Sequence, residues 1–376
     1  MVKVIIICVI DYIIRRDIVI VAAGIAGLTA SFGLHRLGIR SLVLESSDTL
    51  RIARFALSKW ENAWKALDAV GVGHILRQEH AQLMGCFWLN ETKLVKLEFR
   101  VVTTSLITGQ QTSAMRFKES GNQQTDREIR CVKRNLLLEV LANELPSGTI
   151  RYLSKVVAIE ESGFYKILHL ADGTAIKTKR LGFKNISFTG RYAIRGCAEF
   201  KNDHGFEPSF MQFFGKDKEL EENPAKLKQY VLNKLENMPR DVRYYIEKIE
   251  LDAFLSSPLR HRHPWELMFG NISKDNVCVG GDAFHPMTGD LGQGGCCAFE
   301  DGDQFKRIEG SLKKYAKERR WRSIDVIVTS YMAGSIREAE SIFVTFLRDN
   351  ILAAFLTSQL FKKSSYDCGK LNNSNS

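Results

Sequence analysis

Asp17-Ile18-Val19-Ile20-Val21-Ala22-Ala23-Gly24-Ile25-Ala26-Gly27 decides the fold of this chain. Residues 17 to 21 are a short, mostly β-branched run bounded by small residues, the pattern of a strand buried on both faces. Apolar Ile25, Leu28, Phe32 and Leu37 follow at helical spacing, and the pattern stops at Gly38, where a helix can end in a left-handed turn. Ser41 to Glu45 then reads as a second buried strand. Strand, turn, helix and strand together make a βαβ unit of about thirty residues, which implies a parallel sheet and an α/β protein.

The turn carries chemistry. Ala22, Gly24 and Gly27 stand at the spacing of a dinucleotide fingerprint, and Glu45 closes the second strand about twenty residues on. Ala23, Gly24, Ile25, Ala26 and Gly27 would line a pyrophosphate, because the N-terminus of a helix offers unpaired N–H groups and the positive end of its dipole. Gly24 lets the backbone approach the phosphates, Gly27 lets the helix pack close to the strand, and Glu45 can accept hydrogen bonds from a ribose. Ala22 stands where the fingerprint has its first glycine. If that position needs a positive φ, alanine there costs about 1 kcal/mol. The same strand, turn and helix also suit an α/β protein that holds no nucleotide.

A second glycine-rich stretch is more specific. Asn276-Val277-Cys278-Val279 reads as a strand and runs into Gly280-Gly281-Asp282-Ala283-Phe284-His285-Pro286-Met287-Thr288-Gly289-Asp290-Leu291-Gly292-Gln293-Gly294-Gly295. This resembles the GDAxHxxxPxxGQG motif of FAD-dependent group A flavoprotein monooxygenases, the aromatic-hydroxylase type. Cys297 to Gly302 is similar to the start of the helix that follows it in that family. Residues 46–51, 195–200 and 260–265 are similar in wording to a plant branch. The resemblance spans nearly all of residues 17 to 370.

The resemblance implies a fold class and a reaction. The fold is α/β: a Rossmann-like FAD-binding domain (GR2-type) with an inserted mixed β-sheet substrate domain. The reaction is hydroxylation of a small aromatic or apolar substrate with O2, driven by NADH or NADPH through a flavin C4a-hydroperoxide. Asp282 would accept hydrogen bonds from the ribityl chain of FAD. Leu291, Gly292, Gln293 and Gly294 would lie against the isoalloxazine ring. Arg51 and Arg134 fall where the family places cationic contacts to the cofactor, although each also suits a surface charge. The resemblance implies domains at 17–182 and 276–330 for FAD, 183–275 for substrate, and 331–376 as C-terminal helices and tail. No catalytic residue is identified. An NAD-dependent dehydrogenase fits less well, because the second motif belongs with FAD.

The chain departs from the family in ways that touch function. The family carries a further motif, a buried strand running into GxDGxxSxVR, which contacts FAD and the nicotinamide cofactor. Here Lys177-Thr178-Lys179-Arg180 runs straight into Leu181-Gly182-Phe183, and the strand and motif are missing. Gly289 stands where the second motif has proline, and Arg54-Phe55 where a small residue is usual. Loss of a central strand removes ladder hydrogen bonds and buried apolar area together. Either the sheet pairs differently or the protein is marginal, because total stability is only about 5–15 kcal/mol. A catalytically impaired pseudoenzyme or degenerate paralogue is therefore the alternative to a working enzyme.

The remaining features are weaker. Net charge is +10, from 53 Lys+Arg against 43 Asp+Glu, but the basic residues are scattered and imply no nucleic-acid partner. The densest run, Lys313 to Arg322, reads as a solvated helix face, with a binding patch as the alternative. Eight cysteines show no CxxC and no zinc spacing, which suits free thiols and a cytoplasmic protein. Val4 to Ile10 is apolar but too short to span a bilayer, and no small-x-small cleavage site follows it. Ile342 to Phe361 is interrupted by Arg348, Asp349 and Asn350 and reads as two amphipathic helices, not a membrane insertion. Ala56 to Val70 and Val132 to Leu145 read as helices. Phe210, Phe213 and Phe214 are candidate pocket residues, though strand aromatics are more often core. His261 and His263 share a strand face but lack further metal ligands nearby, and His285 reads as structural.

Overall fold

In the computed structural model of the protein, the described residues are 5–12, 15–50, 56–79, 87–90, 93–96, 100–105, 111–116, 128–162, 165–178, 186–195, 209–214, 223–235, 240–274, 277–304, 312–338, 359–360 and 362–367. The first part of the chain forms β1 (Ile5–Tyr12), β2 (Arg15–Val21), α1 (Ile25–Arg36), β3 (Ser41–Leu44), β4 (Ala56–Lys59), α2 (Glu61–Val70) and α3 (Gly73–Glu79). Strands β5 (Phe87–Asn90), β6 (Lys93–Lys96), β7 (Arg100–Ser105), β8 (Gln111–Arg116) and β9 (Arg130–Lys133) lead to α4 (Arg134–Asn143). Next come β10 (Ile150–Arg151), β11 (Val156–Ser162), β12 (Tyr165–Leu170), β13 (Ala175–Thr178), β14 (Ser187–Arg195) and β15 (Ser209–Phe214). The last part holds α5 (Pro224–Lys234), α6 (Arg240–Lys248), β16 (Leu255–His261), α7 (Pro264–Phe269), β17 (Ser273–Lys274), β18 (Val277–Gly280), α8 (Gly294–Gln304) and α9 (Leu312–Glu338).

The largest sheet has the order β10-β3-β2-β1-β18-β17. Strands β10, β3 and β2 are mutually parallel, as the βαβ reading requires. Strand β1 is antiparallel to both of its neighbours: Ile7 lies opposite Ile20 of β2 and opposite Cys278 of β18. Strands β2 and β18 therefore run the same way. Their C-terminal ends, which carry the two glycine-rich motifs, open on one edge of the sheet. In open α/β sheets that edge is where ligands bind.

The position of β1 answers the question raised by the missing strand. The sheet pairs differently: the apolar N-terminal run occupies the place between the two motif-bearing strands. A continuous apolar run suits a strand enclosed by neighbours on both sides. Its antiparallel direction leaves β2 and β18 parallel to one another.

The core is built on this sheet. Ile18, Val19, Ile20, Val43, Leu44, Val277, Cys278 and Val279 are buried, and α1 and α8 cover them with Leu28, Phe32, Leu34, Cys296 and Phe299. Two local readings are corrected. Ala56 to Lys59 is a strand, paired antiparallel with β9, and the helix begins only at Glu61. Val132 and Lys133 belong to β9, so the next helix starts at Arg134. In both places a four-residue strand leads almost directly into the helix, and so short a stretch is not separated from the helix by period alone. Strands β14 and β16 pair antiparallel in a separate sheet beside the second motif. Strand β15 pairs parallel with β7, and the side chains of Phe210, Phe213 and Phe214 on it lie outside the described residues. No helix among the described residues is long and apolar enough to cross a membrane, and residues 339–358 lie outside them.

Candidate functional site

The fingerprint loop has the strain expected of it. Ala22 has φ 89°, a conformation that costs an L-residue about 1 kcal/mol. The backbone turns there so that Gly24 can cap α1 with extended geometry and no side-chain cap of its own. The first-turn N–H groups of α1 have no carbonyl partner within the helix. A Cβ on Gly24 would meet nothing within 4 Å, which leaves the room a phosphate needs. A Cβ on Gly27 would overlap the carbonyl oxygen of Ala22, so helix and strand meet as closely as the spacing implies. Ile25 and Ala26 form the first turn of α1, with Ala26 buried.

Glu45 is buried at the end of β3 and faces this loop. Its Oε2 accepts from the backbone N–H of Ala23 at 2.9 Å, and its Oε1 accepts from Ser47 N and Ser46 Oγ at 3.1 Å. The carboxylate is thereby fixed at the mouth of the loop, with its oxygens acting as acceptors only.

The second motif closes the same edge. Asp282 lies in the 3-10 turn Gly281–Ala283 and is exposed. Leu291 is buried, Gly292 has φ 64°, and Gln293 is fully buried with its Oε1 accepting from Asn62 Nδ2 at 2.9 Å. A side chain at Gly292 would be strained and would come 3.1 Å from Trp60 Nε1. Gly294 opens α8. Helices α1 and α8 lie side by side and run the same way: Ile25 adjoins Gly295, and Thr29 adjoins Gly302. Two helix N-termini therefore meet at one end, and neither has an acidic residue in its first turn. Arg134 is the first residue of α4 and is half-buried, and Arg51 lies outside the described residues.

A buried polar frame holds the second motif from behind. Arg262 donates to the carbonyl oxygens of Phe284 and Ala283 at 3.1 Å and to Glu266 at 3.0 Å. Asp301 accepts from Gly281 N and from His285 at 2.6 Å and from Arg319 Nε at 2.7 Å. Burial pushes the Asp301 carboxyl up, but His285 and Arg319 outweigh it and hold it at about 2. Glu300 joins Asn62, Arg319 and Arg322. Burial raises its pKa, and the two guanidinium groups bring it below the ordinary value. Arg191 of β14 pairs with Asp290 at 3.2 Å, and Ser330 Oγ of α9 donates to Thr288 O at 2.7 Å.

Sequence reading assigned no role to Arg262, Asn62 or Arg319. Their partners lie between 4 and 238 residues away and leave no local pattern. The basic run from Lys313 is not wholly a solvated face, because Arg319 and Arg322 are buried in this frame. His285 is fully buried against Asp301, a structural placement. His263 stacks on Trp265 at 4.2 Å and bonds Ser187 Oγ at 2.8 Å.

Comparison with known proteins agrees with this geometry. No protein-family model matches the sequence. Monooxygenase 2 of Arabidopsis thaliana is 43% identical over 417 aligned positions, covering 94% of this chain and 98% of that protein. The chain belongs to the group A flavoprotein monooxygenases, in their plant branch. Monooxygenase 1 of the same plant is 29% identical over 94% of this chain and 99% of its own length. The 417 positions exceed the 376 residues of this chain, so this family member lacks segments that its relative has. The fold is shared with Klebsiella pneumoniae HpxO, solved with FAD and uric acid, at TM-score 0.73 and 18% identity over 94% of this chain and 98% of that one. Pseudomonas putida p-nitrophenol 4-monooxygenase superposes with TM-score 0.70 at 16% identity over 93% and 98%.

Proposed function

We propose that the chain is an FAD-dependent monooxygenase that hydroxylates a small aromatic or apolar substrate with O2 and NADH or NADPH. One observation carries this reading: the N-termini of α1 and α8 meet at the C-terminal edge of β2 and β18, with open space at Gly24. Such a place favours an extended anionic cofactor. The similar proteins, a plant protein named as a monooxygenase and a structure solved with FAD and uric acid, support the same reading.

The residues present fit FAD. The first-turn amides of α1 would hold its pyrophosphate, and Glu45 would accept from the adenosine ribose. Asp282, exposed in its turn, would accept from ribityl hydroxyls. The first-turn amides of α8 and the loop Leu291 to Gly294 would meet the ring. When bound, FAD supplies the electron transfer and oxygen chemistry, while the protein supplies orientation and a dry pocket. Leu291 contributes apolar surface, and the Arg262 and Asp301 contacts keep the loop rigid at the reacting centre. Substrate would approach from the side of β14 and β16, where Arg191 already ties that sheet to Asp290.

A second reading is a pseudoenzyme, and the observation favouring it is β1 in the central position of the sheet. The absorbance spectrum of the purified protein separates the two readings. Flavin bands, followed by NAD(P)H oxidation with a phenolic substrate panel, support the enzyme. Flavin bands without oxidation support the pseudoenzyme. A folded protein that stays colourless with added FAD sinks the first reading.

A further inference from the structure

Lys59 ends β4 and is only 1% exposed, among the largest fully buried side chains of the protein. Buried lysines almost always have a partner. Among the described residues, the Lys59 ammonium makes no hydrogen bond and no ion pair, and its ring contact is the face of Phe299 at 5.2 Å. A Cβ on Gly295 would overlap Lys59 Nζ and would sit 3.8 Å from Ile25 Cδ1. The ammonium is therefore at the junction of the first turns of α8 and α1, where two positive dipole ends already meet. Burial is the main force lowering its pKa. Arg134 adds to it, while Cys296, Asp282 and Cys131 act the other way. A lone positive charge in that place is costly unless an anion completes it.

We propose that Lys59 is a cationic residue of the FAD site, meeting a negatively charged part of the cofactor at the junction of the α1 and α8 N-termini. The inference rests on the FAD reading above. Two parts of FAD carry such charge, the pyrophosphate always and the ring when reduced. One comparison separates them: FAD affinity and flavin midpoint potential in the wild type and in Lys59→Met, with urea unfolding of both apoproteins. The expected result is about tenfold weaker FAD binding and a more stable apoprotein in Lys59→Met. If the pyrophosphate is the partner, the potential stays where it was. If the reduced ring is the partner, the potential falls by about 30 mV for each tenfold difference between the two redox states.

Should Lys59→Met fail to fold, Lys59→Gln makes the same comparison. A wild type that binds FAD, with affinity and potential unchanged or affinity improved in the variant, overturns the inference alone. A wild type that binds no FAD overturns the inference and the cofactor reading together.

Discussion

Glu45 Oε2 accepts the backbone N–H of Ala23 at 2.9 Å, tying the end of β3 to the loop that opens α1. The carboxylate is buried, so its removal strands a buried donor. Glu45→Ala is expected to lose about 2 kcal/mol of stability and to weaken FAD binding. Glu45→Gln keeps an acceptor and loses less. Urea midpoints and FAD titration of both variants check this, and equal midpoints for wild type and Glu45→Ala would remove the role.

Ala22 holds φ 89° without the glycine that tolerates it. Ala22→Gly is expected to raise stability by about 1 kcal/mol, less the extra freedom glycine has in the unfolded chain. The shift is read as a higher urea midpoint at unchanged slope. FAD affinity should rise or stay level, because the loop keeps its shape.

Gly289 begins a 3-10 turn, and the residue before it, Thr288, has φ −67° and ψ 153°, the extended geometry that a following proline favours. A Cβ there would meet nothing within 4 Å. Gly289→Pro is expected to stabilise the protein by about 0.5–1 kcal/mol, by restricting the unfolded chain. A lower melting temperature would show that the turn needs the freedom of glycine.

Ile7 stands opposite Ile20 on one side and Cys278 on the other. Proline in a central strand removes a ladder hydrogen bond and clashes with the pairing. Ile7→Pro, or deletion of residues 1–12, is expected to cost about 3 kcal/mol or more and to leave little soluble protein. Circular dichroism and gel filtration decide it. A truncated chain as stable as the full one would mean that β1 adds nothing to the sheet.

Asp301 is fully buried and held at about 2, below its ordinary 3.8. The sign for a lowered carboxyl is that its stabilisation is complete above the unfolded value and disappears as pH falls through the folded one. It contributes about 2 kcal/mol at neutral pH, lost between about pH 4 and pH 2. Asp301→Asn should flatten that part of the stability curve and lower the plateau, as measured by unfolding across the pH range.

Much of the site was legible in the sequence because its requirements are local. A strand, a tight turn and a helix N-terminus follow one another within a dozen residues, so Ala22, Gly24 and Gly27 announce their conformation by spacing alone. Asp282 and Gly292 do the same in the second motif. Arg262, Arg319 and Asn62 were not legible as site residues. Each acts through a partner distant in sequence or through a backbone carbonyl, and carbonyls leave no trace in residue type. Lys59 was hidden for a further reason: the sequence reads residues 56–70 as one helix, and only the pairing of Ala56–Lys59 with β9 makes Lys59 the end of a strand, buried against Phe299 of α8.

The sequence by itself determined the two motif turns, the parallel run of β3 and β2, and membership of a flavoprotein family, because backbone conformation and glycine placement depend on neighbours in the chain. It also determined that one strand of that family is missing. Only the tertiary structure decided what stands in its place. Any apolar run of the right length can pair with exposed ladder groups, and pairing is chosen by which strands have unsatisfied N–H and C=O groups and buried faces to cover. Residues 5–12 met that need between β2 and β18, in an antiparallel direction that no local pattern specifies.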